Sequence, residues 1–200
     1  AMSGGVDSSV AAALLVEEGH EVVGIHMKLH DANPEVAGRC CGTDDAIDAR
    51  RVANDLGIPF HVMDLREAFQ KAVIDEFVAT YEKGATPIPC VQCNGVLKFR
   101  VLLQRALALG ASHLATGHYA QIGEGPTLKQ AADTHKDQTY FLFPVTQQAL
   151  GKTLFPLGGM TKEDVRAHAE RLGLATANKP ESQEICFVED GKHAGFVQRA

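Results

Sequence analysis

Ser3-Gly4-Gly5-Val6-Asp7-Ser8-Ser9 is the stretch that decides the fold. Two glycines, one carboxylate and three hydroxyl groups stand directly before residues whose apolar side chains recur at helical spacing. Glycines let a backbone turn tightly and aim its amides at an anion, and the positive end of a helix adds attraction for phosphate. We therefore predict a phosphate-binding loop. The competing interpretation is a glycine turn followed by a serine cap.

Outside this loop, short β-branched runs alternate with helical patterns, which predicts a doubly wound, mostly parallel α/β sheet of the Rossmann type with helices on both faces. Ligands of such sheets bind at the carboxyl ends of the strands. We expect helices over residues 6–16, 43–56, 66–83, 94–109 and 161–173, and strands over 21–27, 60–63 and 113–116. We expect a surface loop over 122–137 and a β-like segment over 138–143.

The composition is that of an ordinary soluble domain. Two hundred residues, 45% hydrophobic and 22% charged, can bury a core without metals or disulfides. No leader or membrane-spanning run is recognisable, so we expect a cytoplasmic protein without membrane contact, whose five cysteines are reduced. The formal charge of −6 disfavours nucleic acid unless a local basic patch compensates. Because a loop of this kind normally follows a buried strand, we also expect a strand before residue 1.

Two cysteine-bearing segments are candidates for chemistry. In Cys90-Val91-Gln92-Cys93-Asn94, we expect Cys93 to lie just before a helix amino end with Asn94 as its cap, which favours the thiolate form. Such a CxxC also occurs in zinc sites and redox pairs. Cys186 enters a short apolar run, where a cysteine is more often buried and inert.

The glycine loop resembles the PP-loop, SGGxDS, of the ATP pyrophosphatase superfamily. Members of that superfamily cleave ATP between its α- and β-phosphates and adenylate a carbonyl oxygen of the substrate. The resemblance implies that Asp7 helps to hold magnesium and that Met27 backs the adenine, although a methionine in a β-run is usually core packing. The phosphates would be wrapped by Ala1, Met2, Ser3, Gly4, Gly5, Val6, Asp7 and Ser8.

Nearly the whole chain resembles the tRNA-specific 2-thiouridylases. The motifs occur in family order: SGGVDSS, HMK, the Cys-Cys and DARRVA region, TPIPCVQCN with KFR, ATGHYA, KDQTYFL, LFPLG and ESQEICF. The resemblance implies ATP-dependent adenylation of the C2 oxygen of the wobble uridine in tRNA. A persulfide on Cys186, supplied by a sulfur-relay protein or another donor, would then deliver sulfur. Release of AMP and a disulfide between Cys93 and Cys186 would follow, so each turnover would need a reductant.

One position departs from the family pattern. Many members have aspartate three residues before the first catalytic cysteine, where this chain has Cys90. Cys90, Cys93 and Cys186 could instead hold a 4Fe-4S cluster that binds sulfide, as in related tRNA thiolases. Three ligands leave a structural zinc site incomplete, so zinc is the weaker alternative. The adjacent Cys40 and Cys41 are given no role.

The resemblance also implies contacts elsewhere. Gly117, in Ala115-Thr116-Gly117-His118-Tyr119, would contact ATP, and His118 would contact RNA or phosphate unless it is a structural histidine. Lys136, Asp137 and Gln138 correspond to the family's tRNA-contacting stretch, although by composition they form a polar loop. Lys98 and Arg100 would offer charge near the thiols or form a solvated helix face.

Residues 1–160 are expected to form the PP-loop domain, and residues 161–200 a helix and the Cys186 segment that complete the catalytic site. Family members also have a central domain and a carboxyl-terminal β-barrel, for which these residues leave no room. Alternatives that keep the PP-loop are 2-thiocytidine, GMP and argininosuccinate synthetases, which adenylate other oxygens. A non-catalytic ATP-binding module of the universal-stress type is the alternative from another class, and pyrophosphate release would separate it from the enzymes.

Overall fold

A computed structural model of the protein describes residues 1–30, 43–181, 185–188 and 193–199. The pair Cys40 and Cys41 lies outside these ranges. The strands are β1 (Gly24–Lys28), β2 (Phe60–Asp64), β3 (Leu114–Ala115), β4 (Gln121–Gly123), β5 (Thr127–Lys129) and β6 (Thr153–Leu154).

The parallel pairs β1–β2 and β3–β6 are joined through the first two residues of the chain. The Met2 amide donates to the Ile25 carbonyl at 2.8 Å, and the Ala1 nitrogen donates to the Ala115 carbonyl at 2.6 Å. The spatial order is therefore β2, β1, residues 1–2, β3, β6. This confirms the parallel sheet and puts the glycine loop at the point where the strand order reverses, where doubly wound folds bind ligands.

Helices cover both faces of this sheet. They are α1 (Val6–Glu17), α2 (Thr43–Asp55), α3 (Arg66–Phe69), α4 (Asp75–Glu82), α5 (Pro89–Gln92), α6 (Leu103–Ala108), α7 (Gln147–Leu150), α8 (Lys162–Arg171) and α9 (His193–Arg199). Two π-helical stretches, Gln70–Ile74 and Cys93–Leu102, join α3 to α4 and α5 to α6. The predicted helix over 66–83 is thus one continuous helical run.

Two apolar clusters hold the layers together. Successive residues of an extended segment point to opposite faces, and accordingly Met2 joins one cluster and Ala1 the other. The first cluster packs Val10 of α1 against Val165 and Ala169 of α8. The second combines side chains from β1, α3 and the π-helical stretch 93–102. Helix α8 therefore belongs to the same core as the glycine loop.

Helix α8 begins as the sequence predicts. The Thr161 hydroxyl accepts from the Asp164 amide at 3.2 Å, and the Asp164 carboxylate accepts from the Thr161 amide at 2.9 Å. This reciprocal capping box satisfies two amides that the helix cannot pair internally. It also fixes the position of Lys162, the first residue of the helix.

The prediction for the CxxC segment is wrong in its helix boundary. The helix begins at Pro89, whose fixed φ and missing N–H suit the first helical position, and continues to Ala108. Cys90 therefore lies in the first turn and Cys93 lies inside the helix. Asn94 is not a cap: it is buried, and its amide nitrogen contacts the Phe141 carbonyl at 3.4 Å.

Two further predictions are corrected by the structure. Residues 122–137 are not entirely loop, because β4 and β5 pair as an antiparallel hairpin around Gly125, whose φ is +66°. Three-residue strands are too short to show a periodicity. The segment 138–143 is not β-like: Thr139–Phe141 is a 3₁₀ turn, in which the Phe141 amide donates to the Gln138 carbonyl at 3.0 Å. Local turn bonds override the β-preference of the aromatic residues there.

No helix within the described ranges has the length and apolar character needed to cross a bilayer.

Substitution of two glycines, one in the glycine loop and one outside it, should lower the free energy of unfolding by different amounts. Gly4 (φ +86°) and Gly19 (φ +83°) have the same left-handed backbone, but a Cβ at Gly4 would clash with the Asp45 carbonyl, whereas a Cβ at Gly19 would meet nothing within 4 Å. Gly19→Ala should cost about 1–2 kcal/mol of unfolding free energy through backbone strain alone. Gly4→Ala should cost about 1–3 kcal/mol more through steric conflict. Urea denaturation of both variants measures the difference, and equal losses would contradict the close contact with α2.

Candidate active site

The glycine loop presents the uncapped amino end of α1. The helix starts at Val6, and no side chain caps it at Gly5. The Ser8 and Ser9 hydroxyls turn back to the Gly5 carbonyl at 3.1 and 2.9 Å. Because the first amides of a helix have no internal partner, this end of α1 is suited to binding phosphate.

The backbones of two other elements pack against this loop. Asp45 in the first turn of α2 contacts Gly4, as described above. On the other side, a Cβ at Gly117 would lie 2.7 Å from the Ser8 nitrogen and 2.8 Å from the carbonyl carbon of Asp7. The segment after β3 therefore packs directly on the first turn of α1. This close approach explains the glycine at 117, whose contact with ATP stays a prediction.

Asp7, in the first turn of α1, is the centre of a polar network. Its Oδ1 accepts from the Tyr119 hydroxyl at 2.8 Å and pairs with the Lys162 Nζ at 2.6 Å. The Lys162 side chain is only 8% exposed. Burial, with the Asp7 carboxylate as the next cause, raises the pKa of Tyr119 far above its usual value, so this phenol is a fixed hydrogen-bond donor.

Lys162 extends the network to the segment that leads to Cys186. Its Nζ also lies 2.7 Å from Glu181 Oε1, while Glu181 Oε2 pairs with Lys136 Nζ at 2.8 Å. Burial alone would raise the pKa of Glu181, but the hydrogen bonds from Lys136 and Lys162 outweigh it and lower the pKa to about 2. Glu181 is therefore ionised at neutral pH.

A second group of ion pairs is centred on Lys179, two residues before Glu181. Lys179 Nζ pairs with Asp45 at 2.7 Å and with Asp48, both in α2. Burial would lower the pKa of Lys179, but hydrogen bonds to these two carboxylates raise it above its usual value. Residues 179–181 are thus bound to α2, to Lys162 and to Lys136.

Cys93 and Cys186 are both half-buried against the second apolar cluster. The residue after Cys186 holds that cysteine in place: the Phe187 ring packs edge-on against Phe69 at 5.5 Å and Phe77 at 5.2 Å between ring centroids. Cys90 is exposed. All three cysteines are thiols in the structure.

The described residues do not present a ligand set for the 4Fe-4S cluster that the sequence analysis left open as an alternative. Among them, no three histidine, cysteine, aspartate or glutamate side chains are gathered closely enough to hold a metal ion. Cys90 and Cys93 lie at the first and second turns of one helix, and Cys90 is exposed whereas the other two pack on apolar side chains. The residues that are present therefore do not fit a 4Fe-4S cluster in this arrangement.

His118 is a buried residue held by its neighbours. Its Nδ1 lies 2.8 Å from the Thr116 hydroxyl, and Lys98 Nζ lies 3.4 Å from its Nε2. Because an ammonium can only donate, Nε2 accepts and the ring proton is on Nδ1. Burial, and next the charge of Lys98, hold the pKa of His118 well below its usual value. The ring is neutral, and its contact with RNA stays a prediction.

The other predicted contacts have internal partners. Gln138 Oε1 accepts from the Tyr119 amide at 3.1 Å, and Asp137 Oδ1 accepts from the Ala131 amide at 2.9 Å. Met27 is buried in the second apolar cluster, in agreement with the core-packing alternative. The roles of these residues toward tRNA and adenine stay predictions.

Four residues of the network were not assigned from sequence. Tyr119 and Glu181 lie inside motifs quoted above, and Lys162 follows a recognisable helix cap. The fourth, Lys179, had no distinctive pattern around it. Except for the bonds between Glu181 and its two lysines, their partners are 112 to 155 positions away in sequence, so only the fold brings them together.

The fold and this site define a doubly wound α/β domain with an uncapped helix amino end at its glycine loop and two cysteines packed on one apolar cluster. The chain belongs to the family described as tRNA methyl transferase HUP domain, which matches residues 1–190.

Curated relatives agree with this placement. The chain is 54% identical over 208 residues to tRNA-specific 2-thiouridylase MnmA of Geobacter metallireducens and 53% identical over 206 residues to that of Magnetococcus marinus. These alignments cover 99% and 100% of the chain but 56% and 58% of the relatives. The chain thus spans little more than half the length of these proteins.

Solved structures support the fold alone. The U34-tRNA thiolase NcsA from Methanococcus maripaludis, solved with its [4Fe-4S] cluster, aligns with a TM-score of 0.56 at 20% identity. NMN synthetase from Francisella tularensis aligns with a TM-score of 0.53 at 18% identity. The alignments cover 99% and 90% of this chain and 62% and 63% of those structures.

The helix boundary predicts the order of thiol reactivity. Cys90 is exposed in a first helical turn, where the thiolate is favoured, and Cys93 is half-buried inside the helix. Iodoacetamide should therefore modify Cys90 at least about tenfold faster than Cys93. Mass spectrometry of peptides over a time course measures both rates. In denaturant the two rates should converge, and faster reaction of Cys93 in the folded protein would contradict the structure.

His118 predicts a loss of stability on acidification. Its neutral form is favoured in the folded state, so its contribution is complete above the unfolded pKa, about 6.5, and is lost as pH falls below it. Between pH 7.5 and 5.5 this single group should cost about 1.4 kcal/mol. Urea denaturation at both values should show a smaller loss for His118→Gln than for the wild type. An identical loss in both proteins would mean that His118 titrates normally in the folded state.

Proposed function

We propose that this chain is the ATP-binding and cysteine-bearing part of a tRNA-uridine 2-sulfurtransferase. The observation that carries the proposal is the combination of an uncapped helix amino end at Gly5–Ser8, suited to phosphate, with Cys93 and Cys186 on one apolar cluster. Adenylation needs the first feature, and transfer of persulfide sulfur with formation of a disulfide needs the second. The names of the curated relatives support the same reaction.

In the first step, ATP binds with its phosphates at the amino end of α1. The C2 oxygen of the wobble uridine attacks the α-phosphorus, the bond between the α- and β-phosphates breaks, and pyrophosphate leaves. Residues 1–8 would surround the phosphates, and Gly117 would allow the nucleotide close to the loop. Magnesium, which prefers carboxylate and phosphate oxygens, would be held by Asp7 and would neutralise phosphate charge.

In the second step, the terminal sulfur of a Cys186 persulfide attacks C2 of the activated uridine, and AMP leaves with the C2 oxygen. The Cys93 thiolate then attacks the Cys186 sulfur, which breaks the bond to the transferred sulfur and forms a disulfide between the cysteines. The 2-thiouridine is released, and an external dithiol must reduce the disulfide. A sulfur-relay protein or another persulfide donor would recharge Cys186.

The family description mentions methyl transfer, but the site favours thiolation. A methyl transferase does not need to cleave ATP between its α- and β-phosphates, whereas this loop resembles one that does. Cys186 and Cys93 would also have no obvious use in that reaction. The same cysteines disfavour synthetases of the GMP and argininosuccinate type and a non-catalytic ATP-binding module. A 2-thiocytidine synthetase remains the alternative closest in chemistry.

The proposed partner is tRNA, bound in the cytoplasm. His118, Lys136, Asp137 and Gln138 are the proposed contacts, and Lys98 and Arg100 add positive charge on the CxxC helix. The chain spans little more than half the length of its relatives. Part of the tRNA-binding surface would therefore lie in the central domain and the β-barrel that the family resemblance implies. Residues 1–160 and 161–200 would form one catalytic unit, because α8 packs on α1.

The test uses full-length protein, purified anaerobically, with unmodified tRNA, magnesium-ATP and a sulfur source. Nuclease digestion and mass spectrometry should detect 2-thiouridine together with AMP. Cys186→Ser and Cys93→Ser should each lower product formation at least about a hundredfold, because each removes a nucleophile. AMP formation without 2-thiouridine in the wild type would point to a different acceptor.

Cys90→Ser separates the two sulfur-transfer mechanisms. Under the persulfide mechanism this variant keeps making 2-thiouridine, because Cys90 takes part in neither attack. If the three cysteines held a 4Fe-4S cluster, the variant would lose activity together with iron and sulfide. Iron and sulfide analysis of the wild type and the variant therefore accompanies the assay.

A further inference from the structure

Lys162 places a nearly buried positive charge beside the glycine loop. It is the first residue of α8, and its amide donates to the Asp133 carboxylate at 3.0 Å. Its side chain is only 8% exposed, and its Nζ lies 2.6 Å from Asp7 Oδ1. Because Asp7 is the second residue of α1, the ammonium group lies next to the helix end that is suited to phosphate.

The ammonium group of Lys162 has one more hydrogen than the described residues use. An ammonium has three hydrogens to donate and cannot accept. Two of them face Asp7 Oδ1 and Glu181 Oε1, which lie 2.6 and 2.7 Å from Nζ. The centroid of the Tyr119 ring is 5.7 Å away, beyond hydrogen-bond distance. Within the described ranges, no oxygen accepts the third hydrogen.

Asp7 is oriented by the same contacts. Its Oδ1 accepts both from Lys162 and from the Tyr119 hydroxyl, whereas no donor from the described part of the chain reaches Oδ2. The Asp7 side chain is 31% exposed. Oδ2 is therefore the oxygen that would hold magnesium in the proposed function, while Lys162 stays on Oδ1. Both cations would then lie beside the phosphates.

The second carboxylate on Lys162 is shared. Oε2 of Glu181 pairs with Lys136 Nζ at 2.8 Å, while Oε1 faces Lys162. With Asp7 engaged by magnesium, Lys162 would retain only part of the charge of Glu181. The positive charge of Lys162 would then act on a neighbouring phosphate.

We propose that Lys162 is a catalytic residue of the adenylation step and that it contacts the β- and γ-phosphates of ATP. This inference rests on the proposed function, because it takes the triphosphate to lie at the amino end of α1. When the bond between the α-phosphorus and the bridging oxygen breaks, its electron pair stays on that oxygen as a charge of pyrophosphate. Lys162 donates a hydrogen bond to the pyrophosphate and keeps its proton. A positive charge fixed beside developing negative charge lowers the barrier.

The test measures the affinity of the full-length protein, in excess magnesium, for AMP and for an ATP analogue whose α,β-bridge is methylene. Lys162→Gln combined with Glu181→Gln removes one charge of each sign and leaves the net charge unchanged. This double variant should bind the analogue at least about tenfold more weakly, as expected for one lost charge-assisted hydrogen bond. AMP has no β- or γ-phosphate, so its affinity should change less than about twofold. Equal weakening of both nucleotides, or none, would overturn the proposal.

Glu181→Gln alone is the matched control, because it disturbs the same ion pairs and retains the ammonium group. It should bind the analogue within about threefold of the wild type. If it weakens the analogue as much as the double variant does, loss of the carboxylate explains the effect and Lys162 has no role toward the phosphates.

The rate of pyrophosphate release at saturating magnesium-ATP and tRNA is the second readout. The double variant should release pyrophosphate at least about a hundredfold more slowly, because a fixed donor to the leaving group is lost. Glu181→Gln should slow it less than about tenfold. A double variant as fast as Glu181→Gln would contradict the catalytic role.

The wild type separates the two levels of inference. If it does not bind the analogue, the proposed function fails. If it binds the analogue and the double variant prefers the analogue over AMP as strongly as the wild type does, only the role of Lys162 fails. Should thermal unfolding show that the double variant is not folded, Lys162→Met with Glu181→Met carries the same expectations. Apolar residues of similar volume commonly replace buried ion pairs without loss of folding.

Discussion

Close backbone contact around the first turn of α1 is the constraint on which the rest of the structure depends. The α2 backbone is in close contact with Gly4, and the Asp7–Ser8 backbone is in close contact with Gly117. Side chains at these glycines would push apart the elements that surround the glycine loop. Because residues 1–2 also bond both halves of the sheet, the same few residues hold the sheet and the site together.

The protein has a net charge of −6, but the carboxylates around the glycine loop are paired with lysines. This pairing reduces the electrostatic repulsion that an anion would meet there. Asp7 lies where phosphate is expected, but Lys162 compensates it, and Lys136 compensates Glu181 beyond it. Buried ion pairs of this kind add little stability, because desolvation offsets most of their attraction. They do fix geometry, which suits the alignment of a nucleotide, a base and a sulfur that the proposed function requires.

Sequence patterns predicted the regular elements well where local chemistry decides them. The capping box at Thr161 and the helical run after β2 follow from nearby residues alone. The predictions went wrong where one segment rests on another. Asn94 looked like a cap but is buried against the Phe141 carbonyl, and the turn at residues 139–141 follows Gln138, which is hydrogen-bonded to the distant Tyr119.

The sequence by itself determined the glycine loop before α1, the parallel α/β fold and the family, because each depends on residues close together in the chain or on the order of motifs along it. The tertiary structure alone decided the partners of Asp7, the buried position of Lys162 and the attachment of Glu181. Those contacts join residues more than a hundred positions apart or from separate elements. Their energies depend on burial and distance, which exist only once the sheet has brought the segments together.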